Sequence, residues 1–155
     1  MADYFTQLAF EIELPSESLA IAAYDFFDLW QNAIYGDIEG DEWPETIPHS
    51  AGDYCDTGID VTRTDNTLQI TDGDGHANVD FVLDFVQEVL KRFNPSADIG
   101  FEWANTCSRA ASNGFGGGAA FVTADESRSI GTWESIDLMR QSHMAKQTGN
   151  VEGGA

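Results

Sequence analysis

A chain of 155 residues that is 42% hydrophobic, with ten Phe, four Trp and four Tyr, can bury the core of one domain, and wholesale disorder is not expected. Its net charge of −20 disfavours DNA, RNA and anionic membranes as direct partners, since binding them needs Lys and Arg to neutralise phosphate. The charge is lopsided: the first 90 residues hold 20 acids against one basic residue, Arg63, a net −19, whereas residues 91–155 carry −1. Acidity acquired by adaptation to high salt would be spread along the whole chain, so this split argues for a local purpose.

The chain opens on YFTQLAFEIEL, where Tyr4, Thr6, Leu8, Phe10, Ile12 and Leu14 alternate with Phe5, Gln7, Ala9, Glu11 and Glu13. Period two with one greasy face predicts a half-buried strand. Ser16 then caps a helix with Glu17 in its first turn, and Leu19, Ala23, Phe26, Phe27 and Trp30 form its apolar stripe. Residues 35–58 hold two prolines, four glycines and seven acids with no clear period, which predicts a long acidic excursion. IDVTRTDNTLQITD predicts a hairpin turning at Asp65-Asn66. Val82, Phe85, Val86, Val89, Leu90 and Phe93 then recur at helical spacing until Asn94-Pro95 stops them. IGFEWA and AAFVTA predict two further strands around a glycine run, and Thr132 to Met144 a short last helix.

The resulting order is β-α-β-β-α-β-β-α. The expectation is α+β: a two-layer sandwich in ferredoxin-like β-α-β-β-α-β order, with an extra strand and a short C-terminal helix. One domain is expected over residues 1–145, with a flexible tail at 146–155. There is no run of eighteen apolar residues, and the start, MADYFTQ, lacks a basic region and an apolar run, so neither a membrane span nor a secretory signal is expected. Cys55 and Cys107 do not make a disulfide framework, and a cytoplasmic location is the default.

Several familiar motifs fail on spacing. DGDGHANVD, read as a calcium loop from Asp72, has Ala77 where Gly is needed and Leu83 where Glu is needed, so a turn capping a helix is expected instead. His49, His76 and His143 are isolated, and no metal or cofactor is expected. GFGGG (Gly114 to Gly118) lacks the lysine of a phosphate loop and precedes a strand, so a hairpin or bulge is expected. A nucleophile at Cys107 is a minor alternative to a buried thiol.

The acids themselves are the remaining feature. Asp80, Asp84 and Glu88 recur every four residues, about 6 Å apart along a helix. Asp25 and Asp28, three residues apart, do something similar on the first helix, and Asp37, Glu39, Asp41, Glu42 and Glu45 crowd the loop around Trp43. Glu11, Glu13, Asp60 and Glu102 are placed to face away from the helices. The bland reading of any one run is a solvated face. Taken together they resemble the charge array of a nucleic-acid strand, and Trp43, if exposed, would serve as an aromatic anchor.

GFEWANTCS followed by FGGGAAFVTADE, after an apolar helix, resembles a pattern in small uncharacterised bacterial proteins carried on plasmids and phages. The resemblance spans roughly residues 75–126. It implies a mobile-element origin, where small acidic proteins that block host defence are frequent, and it assigns no role to any residue. The function expected is therefore a non-enzymatic inhibitor, an anti-CRISPR or antirestriction protein, whose partner is a basic, nucleic-acid-binding defence complex of the bacterial host. An immunity protein or antitoxin that neutralises a basic toxin is the alternative of the same physics, and a small enzyme using Cys107 is the alternative of a different one.

Overall fold

The computed structural model describes residues 2–36, 38, 40–112 and 114–152, without side-chain detail at 40 and 150–152. Strands β1 (Tyr4–Gln7) and β2 (Ala9–Glu13) lead into helix α1 (Glu17–Tyr35). After two short 3-10 turns, Gly40–Glu42 and His49–Asp53, come β3 (Asp60–Thr64), β4 (Thr67–Thr71) and helix α2 (Val79–Phe93). Strands β5 (Asp98–Cys107), β6 (Gly116–Thr123) and β7 (Ser127–Gly131) precede helix α3 (Thr132–Glu152). The fold is α+β, with three helices and two antiparallel sheets ordered β1-β5-β6-β7 and β2-β4-β3.

The first strand is thus corrected: the alternation from Tyr4 to Leu14 is continuous, but the pairing is not. Leu8 separates a strand of the larger sheet from a strand of the smaller one. The cause is the segment after β4. The Leu8 N–H donates to Asp72 Oδ1 (3.0 Å) and the Leu8 carbonyl accepts from the Asp72 N–H (3.1 Å). Thr6 then donates to the Gly75 carbonyl (2.7 Å) and accepts from the Ala77 N–H (3.1 Å). Residues 72–77 therefore replace β4 as the neighbour of β1. The path needs left-handed backbone at Gly73 (φ 66°) and Gly75 (φ 85°), which glycine supplies without strain.

Both capped helices follow the sequence. Ser16 Oγ accepts the Leu19 N–H (3.2 Å), and Asn78 Oδ1 accepts the Phe81 N–H (3.2 Å). α1 lies on β3 and β4, and α2 on β6 and β7. The helices meet through rings: Trp30 packs edge-on to Phe81 and Phe85, at 5.5 and 5.8 Å, and Phe27 edge-on to Phe85 at 5.3 Å. The Trp30 Nε1–H is buried without an acceptor among the described residues, a local cost to the fold. Between the sheets, Phe10 of β2 stacks on Phe101 of β5 with centroids 4.5 Å apart.

Two more expectations are revised at the C-terminal end. β7 was not expected: its residues are polar apart from Ile130 and mostly exposed, and an edge strand needs no apolar face. α3 runs 21 residues, through Met144 and into the segment expected to be a tail. The expected hairpin is present, β5 pairing antiparallel with β6, but the glycine run lies only partly in its connection: Gly114 is in the connection, while Gly116, Gly117 and Gly118 lie inside β6. A Cβ on Gly118 would collide with the Trp103 indole, and Gly117 has φ 144° with the Trp103 carbonyl against it, so the glycines make room for Trp103 of the neighbouring strand.

Candidate partner-binding surface

The regular line of acids on α2 is where sequence and structure part. Asp80 is exposed in the first turn, favourable to the helix dipole. Asp84 is half-buried, and its Oδ2 accepts a 2.5 Å hydrogen bond from the Tyr54 hydroxyl. Burial, then the Asp84 hydrogen bond and the charges of Asp84, Asp80 and Asp53, push Tyr54 well above the ordinary phenol range, so it stays a neutral donor. The Glu88 side chain is only 15% exposed and pairs with Lys91 Nζ at 2.8 Å. Farther along, Arg92 Nη2 donates to the Thr46 carbonyl (2.8 Å) and its guanidinium sits 5.0 Å from the Phe26 ring centroid.

The loop therefore returns along α2, with Tyr54 at its start and Thr46 at its end. This corrects the idea of an open Asp80–Asp84–Glu88 array. Asp84 is tied to the loop through Tyr54, Glu88 is half-buried and paired with Lys91 of its own helix, and of the three Asp80 alone is exposed. Helical periodicity identified the face opposite the buried stripe, but could not reveal that Tyr54 of a distant loop would reach Asp84 on it.

The other acids stay open. Asp25 and Asp28 are exposed on α1, and Asp41, Glu42 and Glu45 are exposed on the loop. Asp37 and Glu39 lie outside the described residues. Asp53 and Asp56, which the sequence reading passed over, are exposed on either side of Tyr54 and Cys55; they belong to no periodic run, and their density in the loop was the available signal. Glu11, Glu13, Asp60 and Glu102 are exposed, with their strand registers placing Glu11 opposite Gln69 and Asp60 opposite Thr71. Among the described residues four acids sit in ion pairs, Glu17, Glu88, Glu126 and Asp137, so most of the charge meets solvent.

Trp43 does not meet the condition set for it. It is half-buried against the core, its indole N–H donates to the Ile47 carbonyl (2.9 Å), and its ring stacks near His49 at 6.3 Å. Trp43 holds the loop together. The apolar opening on this side is instead a cleft of about 650 Å3 between the helices and the loop, floored by Phe26, Leu29 and Phe93 with Asp25 and Arg92 among its lining residues.

The motifs rejected on spacing have structural employment. Asp72 pairs with the Leu8 backbone, and Asp74 Oδ1 accepts the His76 N–H (3.3 Å). No group of acids, His and Cys among the described residues is arranged to hold a metal. His76 stacks near Phe5 at 5.9 Å. Cys107 is a half-buried free thiol packed beside Gly114, and Cys55 is an exposed one. Among the described residues no helix is long and apolar enough to cross a membrane. Compared with known proteins, the chain matches no family model, no curated protein and no solved structure.

Proposed function

We propose that this chain is a non-enzymatic acidic inhibitor that occupies the basic, nucleic-acid-binding surface of a bacterial defence complex, of the anti-CRISPR or antirestriction kind, in the host cytoplasm. The observation that carries the reading is the concentration of −19 in the first 90 residues, with most of those acids exposed and unpaired. Self-repulsion on that scale destabilises a compact chain, and a basic partner relieves it. The contact surface is α1 with the loop: Asp25, Asp28, Asp41, Glu42 and Glu45, together with the exposed Asp53 and Asp80 near Tyr54. The apolar cleft next to Asp25 gives a partner side chain somewhere to anchor. Association driven this way is fast and weakens with salt.

The architecture belongs to the same proposal. If β1 and β2 are one strand bent at Leu8, the strands run β5, β1/β2, β4, β3, all antiparallel, which is the ferredoxin-like order, with β6 and β7 added outside it.

The test is capture from a bacterial lysate on the immobilised chain at low and high salt, followed by competition with DNA and RNA. Recovery of nucleic-acid enzymes that salt releases and nucleic acid displaces supports the proposal. Recovery of a small basic toxin instead makes the chain an immunity protein or antitoxin. Capture that neither salt nor nucleic acid alters overturns the electrostatic reading.

A further inference from the structure

The acidic region also exposes apolar surface, and it does so mainly on one helix. Among the described residues of the first 90, four large apolar side chains are exposed, Tyr4, Ile21, Leu29 and Tyr35, and three of them belong to α1. Ile21, Asp25 and Leu29 follow at four-residue intervals, so they share one side of the helix, with the carboxylate between the two aliphatic side chains. A lone exposed leucine is ordinary. Leu29 differs because it also lines the cleft of about 650 Å3, together with Phe26, Phe93, Thr46, Asp25 and Arg92. A leucine that continues into a cleft with two phenylalanines offers a seat to another apolar side chain.

Charge selects what can enter. Asp25 lines the cleft, Asp28 precedes Leu29 in the chain and Glu45 precedes Thr46. All three are exposed, and none is in an ion pair among the described residues. Arg92, the one basic residue of the lining, is already taken by the Thr46 carbonyl (2.8 Å) and the Phe26 ring (5.0 Å to the centroid). Anionic amphiphiles, anionic lipid surfaces and a second copy of the chain all bring negative charge to these acids and are repelled. A purely basic strand satisfies the acids but leaves Phe26, Leu29 and Phe93 in water. A segment that joins the two properties meets the whole site.

We infer that the cleft takes a short protein segment in which a large apolar side chain is flanked by Lys or Arg. The apolar side chain enters against Phe26, Leu29 and Phe93, and the cations meet Asp25, Asp28 and Glu45. The aliphatic stems of Lys and Arg add apolar contact at the rim while their charged heads stay at the acids. The inference rests on the proposed function for the sign of the partner's charge, and deepens it: the partner is chosen by an apolar anchor as well as by charge. Charge steers the encounter, and a buried anchor slows dissociation.

Two peptides of equal length and charge test it on the full chain by fluorescence anisotropy. One is built of lysine and serine with a Leu-Phe pair at its centre, and its twin has Gln-Gln in that place. The native chain is expected to bind the Leu-Phe peptide about tenfold tighter, the effect of burying one large apolar side chain. Leu29→Gln is expected to remove that preference and leave the Gln-Gln affinity as it was, while Leu138→Gln on the exposed α3 changes neither. Asp25→Asn with Asp28→Asn is expected to weaken both peptides. Equal affinity for the two peptides overturns the inference, and if that common binding weakens with salt the proposed function stands without it. Binding of neither peptide also overturns the inference, while the proposed function keeps its own test in lysate capture. A preference that survives Leu29→Gln, or that persists when the lysines are replaced by glutamates, overturns it as well. Should Leu29→Gln disturb the fold, amide shift changes on the native chain decide. Changes unique to the Leu-Phe peptide at Ala22, Leu29, Thr46 and Phe93 support the inference, and changes confined to other residues overturn it.

Discussion

Residues 17–93 and residues 127–152 both present helices to water, and they manage that exposure in opposite ways. In the first region α1 and α2 bury an aromatic seam and keep acids outside, so each helix has one face for the core and one for solvent. In the second, α3 buries almost nothing and mixes apolar and charged side chains on every side. The first region is held by its own packing and its excess is charge. The second has no excess charge, and its excess is apolar surface. The two exposures differ in kind, so added salt bears on the first region and leaves the second largely indifferent.

Core truncation should separate the regions most sharply. Phe85 is fully buried and touches the rings of Phe26, Phe27, Trp30 and Phe81, so Phe85→Ala should cost about 3–5 kcal/mol in urea unfolding. A loss below about 1 kcal/mol would mean that the aromatic seam does not hold the first region together. Next comes charge. Asp25→Lys, Asp28→Lys and Glu45→Lys together should weaken capture of a basic partner about 100-fold, close to 2.8 kcal/mol, while Glu134→Lys with Asp137→Lys should leave it unchanged. Equal losses from the two sets would erase the distinction between the regions. Asp84→Lys is not a clean member of such a set, because it strands the Tyr54 hydroxyl in the fold.

Tyr54→Phe should cost about 1–2 kcal/mol, the low end for a hydrogen bond to a charged group, since the pair is only partly buried. It should also quicken hydrogen exchange across the loop. The pH dependence has a definite sign. Tyr54 is raised above its ordinary value of 10.0, so its contribution is complete below pH 10 and is lost as pH climbs beyond it. The phenylalanine variant should lack that share of the alkaline loss, and identical alkaline profiles would count against the bond. The smallest effect should come from Trp133→Ala in dilute solution, below about 0.5 kcal/mol, since the side chain is 58% exposed. A larger loss would show that α3 is held by its own chain after all.

What was legible in the sequence was whatever local chemistry dictates. Ser16 caps α1 as expected, Asp65-Asn66 turns the hairpin with Asp65 at φ 52°, and the stripe from Val82 to Leu90 is buried. What was missed depends on pairings between distant residues. The break at Leu8 leaves the alternation of side chains untouched and changes only the backbone partners. β7 carries no apolar pattern because it lies at an edge. The burial of Asp84 depends on Tyr54, 30 residues away in the loop, and nothing in the spacing of α2 records it. The glycines of β6 looked like a turn until Trp103 was seen to lie across them.

The stitching of residues 72–77 to Thr6 and Leu8 has a consequence for how far the chain can change. These bonds fix the number of residues between the end of β4 and the cap at Asn78, and so they set the phase at which α2 begins. One inserted residue would rotate the helix by about 100 degrees. Phe81, Val82 and Phe85 would then swing away from α1, and the charged flank would turn inward. Insertions in the acidic loop leave this phase alone. The loop can therefore change length from one variant to another, while the stretch from Asp72 to Asn78 has to keep its count.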